Sequence, residues 1–324
     1  MKIVHTFWTK HAEYFGGLKN YSCVWLEPKY HYLSWILSCF QALKTYGKIE
    51  LFTDAQGKEL FIDILKLPYN NFEIVFNDLD INVPPSIWAY SKIITYSLQK
   101  EPYIHIDGDV YLWKKLPQEY LTAPVFFQHI ENETNCDYPK VYAYPKKIIT
   151  DNFKITPSCW KAGYRKAYNC GIVGVNDLSA MKYYTDQVTQ CIEAPLNQNV
   201  LKEFNKNEKK HTLWSFNCVF EQFTAYSALN EYGIEPLCLF TAENIIDDTR
   251  CLELGYTHVL GVKHEPYTPD CELERLERRV MREYPEQYER LIYYLNIPKK
   301  LGPIKTKENT NYSPNIQLET SIEW

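Results

Sequence analysis

The sequence predicts an α/β fold with a mixed, mostly parallel sheet, flanking helices and a helical extension at the C-terminus. In the first third of the chain, short apolar segments typical of strands alternate with segments of helical periodicity. Such alternation indicates parallel strands joined by right-handed crossovers. After residue 266 the pattern changes to a charged helical segment, which predicts the extension.

Length and charge exclude several function classes. The chain has 324 residues, enough to bury a large core in one large or two modest domains. Its formal net charge of -5 and its pI near 6.0 provide no basic surface for nucleic acid or an anionic membrane. We therefore expect no nucleic-acid partner.

Cysteine usage and hydropathy indicate a cytoplasmic location. The ten cysteines are scattered singly, with no CxxC pair, which is typical of reduced thiols. The opening segment "MKIVHTFWTKH" contains no cleavage-site pattern. No apolar run approaches the roughly 18 residues of a membrane-spanning helix. We therefore expect a cytoplasmic protein without an integral membrane segment.

The N-terminal elements follow from the periodicity and its breaks. The Gly16-Gly17 pair marks a loop after the first strand, and Gly47 closes the first helix. The predicted elements, in chain order, are a strand at 2–8, a helix at 30–46, a strand at 48–54, a helix at 57–67, a strand at 71–76, a helix at 88–99 and a strand beginning at Tyr103.

The rest of the chain contains two more strands and three helical segments. Strands are predicted at 123–130 and 167–176, and the polar, Tyr- and Pro-containing stretch between them is expected to be a surface insertion. Pro285 should break the charged segment "CELERLERRVMREYPEQYERLIYYL", whose charge pattern is typical of a solvated face. The predicted helices lie in "LSAMKYYTDQVTQCIE", in "FNCVFEQFTAYSALNEYG" and in the charged segment, and the last 24 residues are expected to form a tail.

Two acids stand at the end of a predicted buried strand, in "YIHIDGDVYLW". Asp107 and Asp109 are one residue apart around Gly108. In an open α/β sheet, ligands bind outside the carboxyl ends of the strands. Two carboxylates at such an end can hold one divalent cation that keeps positions open for phosphate oxygens. The glycine allows the backbone to approach closely.

The segment "SKIITYSLQKEPYIHIDGDVYLWKKLP" resembles the metal-binding segment of GT-A-fold glycosyltransferases. It is most similar to the retaining group of glycogenin and the lipopolysaccharide galactosyltransferases. The resemblance implies a GT-A (Rossmann-like) fold in which Asp107 and Asp109 hold Mn²⁺ or Mg²⁺ on the diphosphate of a nucleotide sugar, usually a UDP-sugar. Lys92 matches a cation near the donor, and His105 departs from the usual aliphatic residue.

Two further segments match the family in the right order. "YNCGIVGVN" resembles a strand whose asparagine, here Asn169, contacts the donor sugar. "YTHVLGVKHEP" resembles the HxxGxxK segment, which makes His258 a candidate third metal ligand. The lysine falls one residue early, so Lys263 and His264 both remain candidates for contact with the diphosphate.

Other candidate site residues follow from the same resemblance. The Glu221-Gln222 pair is similar to an Asp-Gln pair in which the acid binds sugar hydroxyls and the glutamine lies below the anomeric carbon. Which of the two is catalytic stays open. The loop after the first strand holds the nucleobase and ribose in this fold, so Thr6, Phe7 and Trp8 are candidate nucleotide contacts by position.

The expected function is a metal-dependent transfer of a sugar from a nucleoside-diphosphate sugar to an acceptor hydroxyl, with retention implied by the resemblance. The acceptor, a glycan, lipid, small molecule or peptide, stays open, as do the donor sugar and the oligomeric state. The expected organisation is a catalytic domain at 1–265, a helical extension at 266–300 and a tail at 301–324. Two alternatives are a catalytically degenerate scaffold of the same fold and a phosphatase with an aspartate nucleophile. The phosphatase is disfavoured because Tyr111, the second residue after Asp109, stands where a threonine or valine is expected, and because no downstream lysine and acidic pair are apparent.

Overall fold

The computed structural model describes residues 1–206, 210–241, 248–259, 263 and 271–296. Its strands are β1 (Lys2–Phe7), β2 (Ile49–Thr53), β3 (Asn71–Ile74), β4 (Tyr103–Ile106), β5 (Val110–Leu112), β6 (Val125–Phe127), β7 (Ile130–Glu131), β8 (Ala167–Tyr168), β9 (Ile172–Val175), β10 (Leu237–Cys238) and β11 (Tyr256–His258).

The α-helices of the described residues surround these strands. They are α1 (Pro28–Tyr46), α2 (Ala55–Lys58), α3 (Ala89–Ser97), α4 (Gln118–Thr122), α5 (Tyr144–Asn152), α6 (Leu178–Glu193), α7 (Pro195–Lys206), α8 (Lys210–Cys218), α9 (Thr224–Tyr232), α10 (Asp248–Leu254), α11 (Glu272–Glu283) and α12 (Pro285–Leu295). Short 3-10 helices cover Thr9–Phe15, Leu18–Asn20 and Leu79–Ile81, and π-helical turns cover Glu59–Ile64, Pro139–Ala143 and Val219–Phe223.

A seven-stranded sheet in the order β10-β6-β9-β4-β1-β2-β3 forms the centre of the protein. The pairs β1–β2, β2–β3, β1–β4 and β6–β10 are parallel. Strand β9 runs antiparallel to both β4 and β6. The predicted mixed, mostly parallel sheet is therefore confirmed.

Both faces of the sheet are covered by helices. Alternate residues of β1 point to opposite faces, so that Ile3 joins one apolar cluster and Val4 joins the other. The first cluster includes residues of α1, α11 and α12, and the second includes residues of α3, α6 and α9. Both faces of β4 are buried. Its sequence is therefore mainly apolar and shows no alternation with exposed polar residues.

The C-terminal helices pack against α1. Pro285 is the first residue of α12, and α11 ends two residues before it, so the predicted break is confirmed. Glu277 of α11 is buried, pairs with Lys29 at 2.7 Å and accepts a hydrogen bond from the Tyr288 hydroxyl at 2.8 Å. Since α11 also buries Leu276 and Val280, the expectation of a solvated segment is wrong for one face of this helix.

The stretch between the strands at 123–130 and 167–176 is not a surface insertion. It forms β7, a π-helical turn at Pro139–Ala143 and α5. Tyr142 and Ile149 are fully buried in the second apolar cluster. The prediction is wrong because polar residues separate the apolar ones in this stretch, which gives it the pattern of a surface segment. In the structure, packing against α8 buries these apolar residues.

Three further observations concern membrane-spanning helices, the cysteines and the predicted tail. Within the described ranges, no helix has the length and apolar character needed to cross a bilayer. All ten cysteines are described, and each is a free thiol. The predicted tail at 301–324 and the candidate site residue His264 lie outside the described residues.

The packing of α12 predicts a difference between two substitutions on the same helix. Leu291 is fully buried, whereas the Tyr293 side chain is 85% exposed. Leu291→Ala should lower the free energy of unfolding by about 2–5 kcal/mol because it leaves a cavity against α1. Tyr293→Ala should change it by about 0.5 kcal/mol or less. Urea denaturation followed by circular dichroism measures both, and equal effects would contradict the packing of α12 into the core.

Candidate functional site

The two acids of "IDGD" lie where β4 leaves the sheet. All four residues of β4 are buried, and Asp107 follows directly. Its backbone N–H donates to the Gly171 carbonyl at 3.0 Å, and its carbonyl accepts from Val110 N–H at 3.0 Å, which closes a turn around Asp109. A Cβ on Gly108 would lie 2.2 Å from the Trp35 ring, so this position needs a glycine for packing against α1.

Pairing of β5 with β11 brings His258 to these acids. The two strands are antiparallel, with Val110 opposite His258, and Val259 N–H donates to the Asp109 carbonyl at 3.0 Å. The His258 Nε2 atom lies 3.4 Å from Asp109 Oδ1. Asp107, Asp109 and His258 each offer one ligand atom, and these three atoms lie within 4.8 Å of one another. Because these atoms are two carboxylate oxygens and one imidazole nitrogen, the group has a suitable donor set for a divalent cation.

Lys263 compensates the charge of Asp109. Its ammonium group contacts Asp109 Oδ2 and lies 5.6 Å from the centre of the Trp25 ring. Burial opposes ionisation of Asp109, but the neighbouring Lys263 ammonium group lowers the pKa of Asp109 well below its usual range. Asp109 is therefore ionised at neutral pH and is paired with the Lys263 ammonium group.

Lys92 of α3 joins Asp107 to a second carboxylate. Its Nζ atom lies 2.7 Å from Asp107 Oδ1 and 2.6 Å from Glu221 Oε1, and it donates to the Cys170 carbonyl at 3.3 Å. Burial alone would lower the pKa of Lys92, but Asp107 and Glu221 raise it above the usual lysine value. Two carboxylates thus share one ammonium group, and the Asp107 side chain, which is 30% exposed, is the one that reaches the cleft.

Glu221 and Gln222 occupy a π-helical turn behind this ion pair. Glu221 is buried and also accepts a hydrogen bond from the Tyr96 hydroxyl at 3.3 Å. Burial raises the pKa of Glu221 to about 7, against the opposing attraction of Lys92. Gln222 is half-buried, and its amide contacts the Tyr142 hydroxyl. Neither Glu221 nor Gln222 lines the cleft at Asp107. Glu221 is connected to the cleft through its ion pair with Lys92, which does line it.

Asn169 belongs to a second polar cluster next to the acids. Its side-chain amide donates to Glu131 Oε1 at 2.8 Å, and its Oδ1 atom accepts from Gly171 N–H at 3.1 Å. The Tyr142 hydroxyl contacts both Glu131 and Gln222. Both contacts are to acceptor oxygens, Glu131 Oε2 and Gln222 Oε1, which share the single hydroxyl proton. Two predicted site residues, Asn169 and Gln222, are therefore linked through Glu131 and Tyr142.

A cleft of about 280 Å³ opens beside the acids. Asp107, Asp109, His258, Lys92 and Lys263 line its polar end. The rest of its wall is mainly aromatic, and the aromatic and imidazole residues there are Phe7, Trp8, His11, Tyr21, Trp25, His31, Trp35 and Trp88. Thr6, Phe7 and Trp8, predicted from their position after the first strand, all line this cleft. Such a wall has the apolar area and shape to accept a planar ring.

Sequence reasoning missed several residues of the site. Gln128 and Glu131 follow β6 closely, in "FFQHIE", and contact His258 and Asn169, respectively. Polar residues at the end of a buried strand could have indicated them, as they did for Asp107. Trp25 and His31 carried no such signal, because they enter the cleft from α1 and the loop before it.

The buried Glu221 carboxyl predicts a pH dependence of stability. Since its pKa is raised from 4.5 to about 7 in the folded protein, the folded state binds this proton more tightly than the unfolded chain between those pH values. The free energy of unfolding should therefore fall as the pH rises through this interval, and Glu221→Gln should make the fall shallower. Urea denaturation at a series of pH values, with chelator present, measures the slopes. Identical slopes for the two proteins would contradict the raised pKa.

Three solved structures that are similar to this chain are those of glycosyltransferases. Mouse xyloside xylosyltransferase 1, in its apo form, is 10% identical, with a TM-score of 0.39 over 82% of this chain and 99% of that chain. The galactosyltransferase LgtC, in complex with donor and acceptor sugar analogs, is 13% identical, with a TM-score of 0.42 over 92% of this chain and 98% of that chain. An active-site glutamine-to-glutamate mutant of LgtC is also 13% identical, with a TM-score of 0.44 over 90% of this chain and 100% of that chain. These structural neighbours are GT-A glycosyltransferases.

Sequence comparison gives a family but no activity. No curated protein matches the sequence. The model of the family described as "Family of unknown function (DUF6734)" matches residues 1–294. Because this match covers most of the chain, the protein belongs to the DUF6734 family.

Proposed function

We propose that this protein is a metal-dependent glycosyltransferase that moves a sugar from a nucleoside-diphosphate sugar, in our proposal a UDP-sugar, to an acceptor hydroxyl. The observation that carries the proposal is the convergence of Asp107, Asp109 and His258 at the polar end of an aromatic cleft. A nucleoside diphosphate has matching chemistry, since its base suits an aromatic wall and its diphosphate suits a cation. The residues that line the cleft therefore suit a ligand that has both a base and a diphosphate.

The side chains present fit a divalent cation. Two carboxylates suit Mn²⁺ and Mg²⁺ alike, and the imidazole of His258 favours Mn²⁺. When bound, the cation would neutralise the diphosphate and make the nucleoside diphosphate a better leaving group. Lys263 contacts Asp109, and its ammonium group would become available to a phosphate oxygen if a cation were held at that carboxylate. Lys263 rather than His264 is thus our candidate for contact with the diphosphate.

Lys92 and the Asn169 cluster would position the sugar end of the donor. Lys92 keeps Asp107 oriented through a 2.7 Å ion pair. Asn169 and Glu131 present an amide and a carboxylate next to Gly171, and sugar hydroxyls could both donate to and accept from these groups. Gln222 does not line the cleft, and in our proposal it supports the sugar end indirectly, through Tyr142 and Glu131.

Retention of anomeric configuration is the outcome we propose. In the transfer, the bond between the anomeric carbon and the phosphate oxygen breaks, the acceptor oxygen bonds to that carbon, and the acceptor proton leaves with the nucleoside diphosphate. An inverting enzyme needs a general base within reach of the acceptor. Glu221, the candidate for that role, is buried against Lys92 and is not part of the cleft wall. Nuclear magnetic resonance of the product anomer tests this point.

A catalytically inactive nucleotide-binding protein is the second candidate. The contact between Lys263 and Asp109 favours it, because an ammonium group next to the acid can replace a metal ion in balancing its charge. Hydrolysis of a panel of UDP- and GDP-sugars, with Mn²⁺ or with chelator, separates the two candidates. Turnover that requires Mn²⁺ supports the transferase, and nucleotide binding without metal dependence or turnover supports the inactive protein.

The metal site predicts the effect of removing one carboxylate. Asp109→Asn should weaken Mn²⁺-dependent UDP binding by about 100-fold or more, since loss of a direct ligand should cost at least as much as loss of an outer-shell partner. Asp63→Asn serves as control because Asp63 pairs with Lys58 on the surface. Isothermal titration calorimetry measures the affinities, and circular dichroism checks the fold. Wild-type affinity in a folded Asp109→Asn protein would exclude this metal site.

A further inference from the structure

We propose that Gln128 is a positioning residue that fixes the proton of His258 on Nδ1 and thereby leaves Nε2 free to bind the metal ion. This inference rests on the proposed function, because it assigns His258 the role of metal ligand. It adds a residue that the sequence motifs did not indicate. Gln128 lies directly after β6, on a different element from any of the three candidate ligands.

Hydrogen bonding at Gln128 determines the tautomer. The amide oxygen of Gln128 lies 2.7 Å from His258 Nδ1 and accepts a hydrogen bond from the Tyr256 hydroxyl, also at 2.7 Å. An amide oxygen can only accept, so His258 Nδ1 must be the donor. A neutral imidazole has one N–H, and its other nitrogen then carries a lone pair. Nε2 is that nitrogen, and it faces Asp109 at 3.4 Å.

Tyr256 supports this orientation of the amide. The tyrosine is 1% exposed, so its hydroxyl proton needs an acceptor within the protein. Gln128 Oε1 is the acceptor that the structure provides. Tyr256 and His258 are two residues apart on β11 and therefore point to the same side of the strand. One oxygen thus holds both side chains.

The backbone around Gly171 leaves space for this contact. A Cβ at Gly171 would lie 2.5 Å from His258 Cε1 and 2.7 Å from Gln128 Oε1, which is closer than side chains can approach. The Gly171 carbonyl also accepts from Asp107 N–H at 3.0 Å. The glycine therefore lets the Gln128–His258 pair lie directly against the segment that positions Asp107. Outer-shell contacts of this kind orient metal-binding histidines in proteins generally.

Three substitutions distinguish positioning from simple packing. Gln128→Leu removes the acceptor, whereas Gln128→Glu keeps an oxygen that can accept from Nδ1. Gln187→Leu is the matched control, because Gln187 is also buried and its Oε1 accepts two hydrogen bonds, from Ser158 Oγ at 2.9 Å and Cys159 N–H at 3.3 Å. Gln187 does not line the cleft at Asp107.

The first measurement is Mn²⁺ binding in the absence of nucleotide, by electron paramagnetic resonance. Gln128→Leu should weaken Mn²⁺ binding by about 10–100-fold, the usual effect of losing an outer-shell partner. Gln128→Glu and Gln187→Leu should bind Mn²⁺ as the wild type does. Gly171→Ala, which displaces His258 without removing Gln128, should also weaken binding. Wild-type affinity in folded Gln128→Leu would overturn the inference while leaving the metal site intact.

The second measurement needs no metal. In protein with ¹⁵N-labelled histidine, the ring ¹⁵N shifts of His258 report which nitrogen carries the proton. The wild type should show the proton on Nδ1, and Gln128→Leu should lose this preference. A proton on Nε2 in the wild type would overturn the inference. If the wild type bound no Mn²⁺ while the Nδ1 preference depended on Gln128, the proposed metal site would fail and the tautomer assignment would stand.

Discussion

The short antiparallel pairing of β5 with β11 is the interaction on which the site depends. It joins the chain just after the two acids to a segment near the end of the sheet-containing part of the protein. Without it, Asp107 and Asp109 would form an acidic turn like many others on protein surfaces. With it, an imidazole and the Lys263 ammonium group reach the same place, and the turn becomes a site with a defined set of ligand atoms.

Charge balance explains how the acidic side chains of the site are accommodated next to the core. Ionised carboxylates at the edge of a core destabilise the fold unless they are paired. Here Lys263 compensates Asp109, and Lys92 is shared by Asp107 and Glu221. Ion pairs therefore orient the carboxylates of Asp107 and Asp109. Preorganised charges of this kind are effective in catalysis because no energy is needed to orient them during the reaction.

The sequence predicted the parts of the fold that depend on local pattern. Alternating strands and helices, the position of the acids at the end of β4 and the break at Pro285 follow from periodicity and backbone chemistry within a few residues. Strands β5 and β11 were not predicted because three residues are too few to show a period. Helix α5 was missed because burial by α8, rather than its own sequence, makes its apolar residues part of the core. The positions of Gln128 and Glu131 after β6 could have been noticed, but their contacts with His258 and Asn169 could not, because these partners are distant in sequence.

The central claim is that Asp107, Asp109 and His258 bind one metal ion that also contacts a nucleoside diphosphate. Anomalous diffraction from crystals soaked with Mn²⁺ and UDP tests it most directly. One manganese peak should lie within bonding distance of all three side chains and of diphosphate oxygens, with the uracil against the aromatic wall. A bound nucleotide with no manganese at these residues, or a manganese peak elsewhere in the cleft, would contradict it.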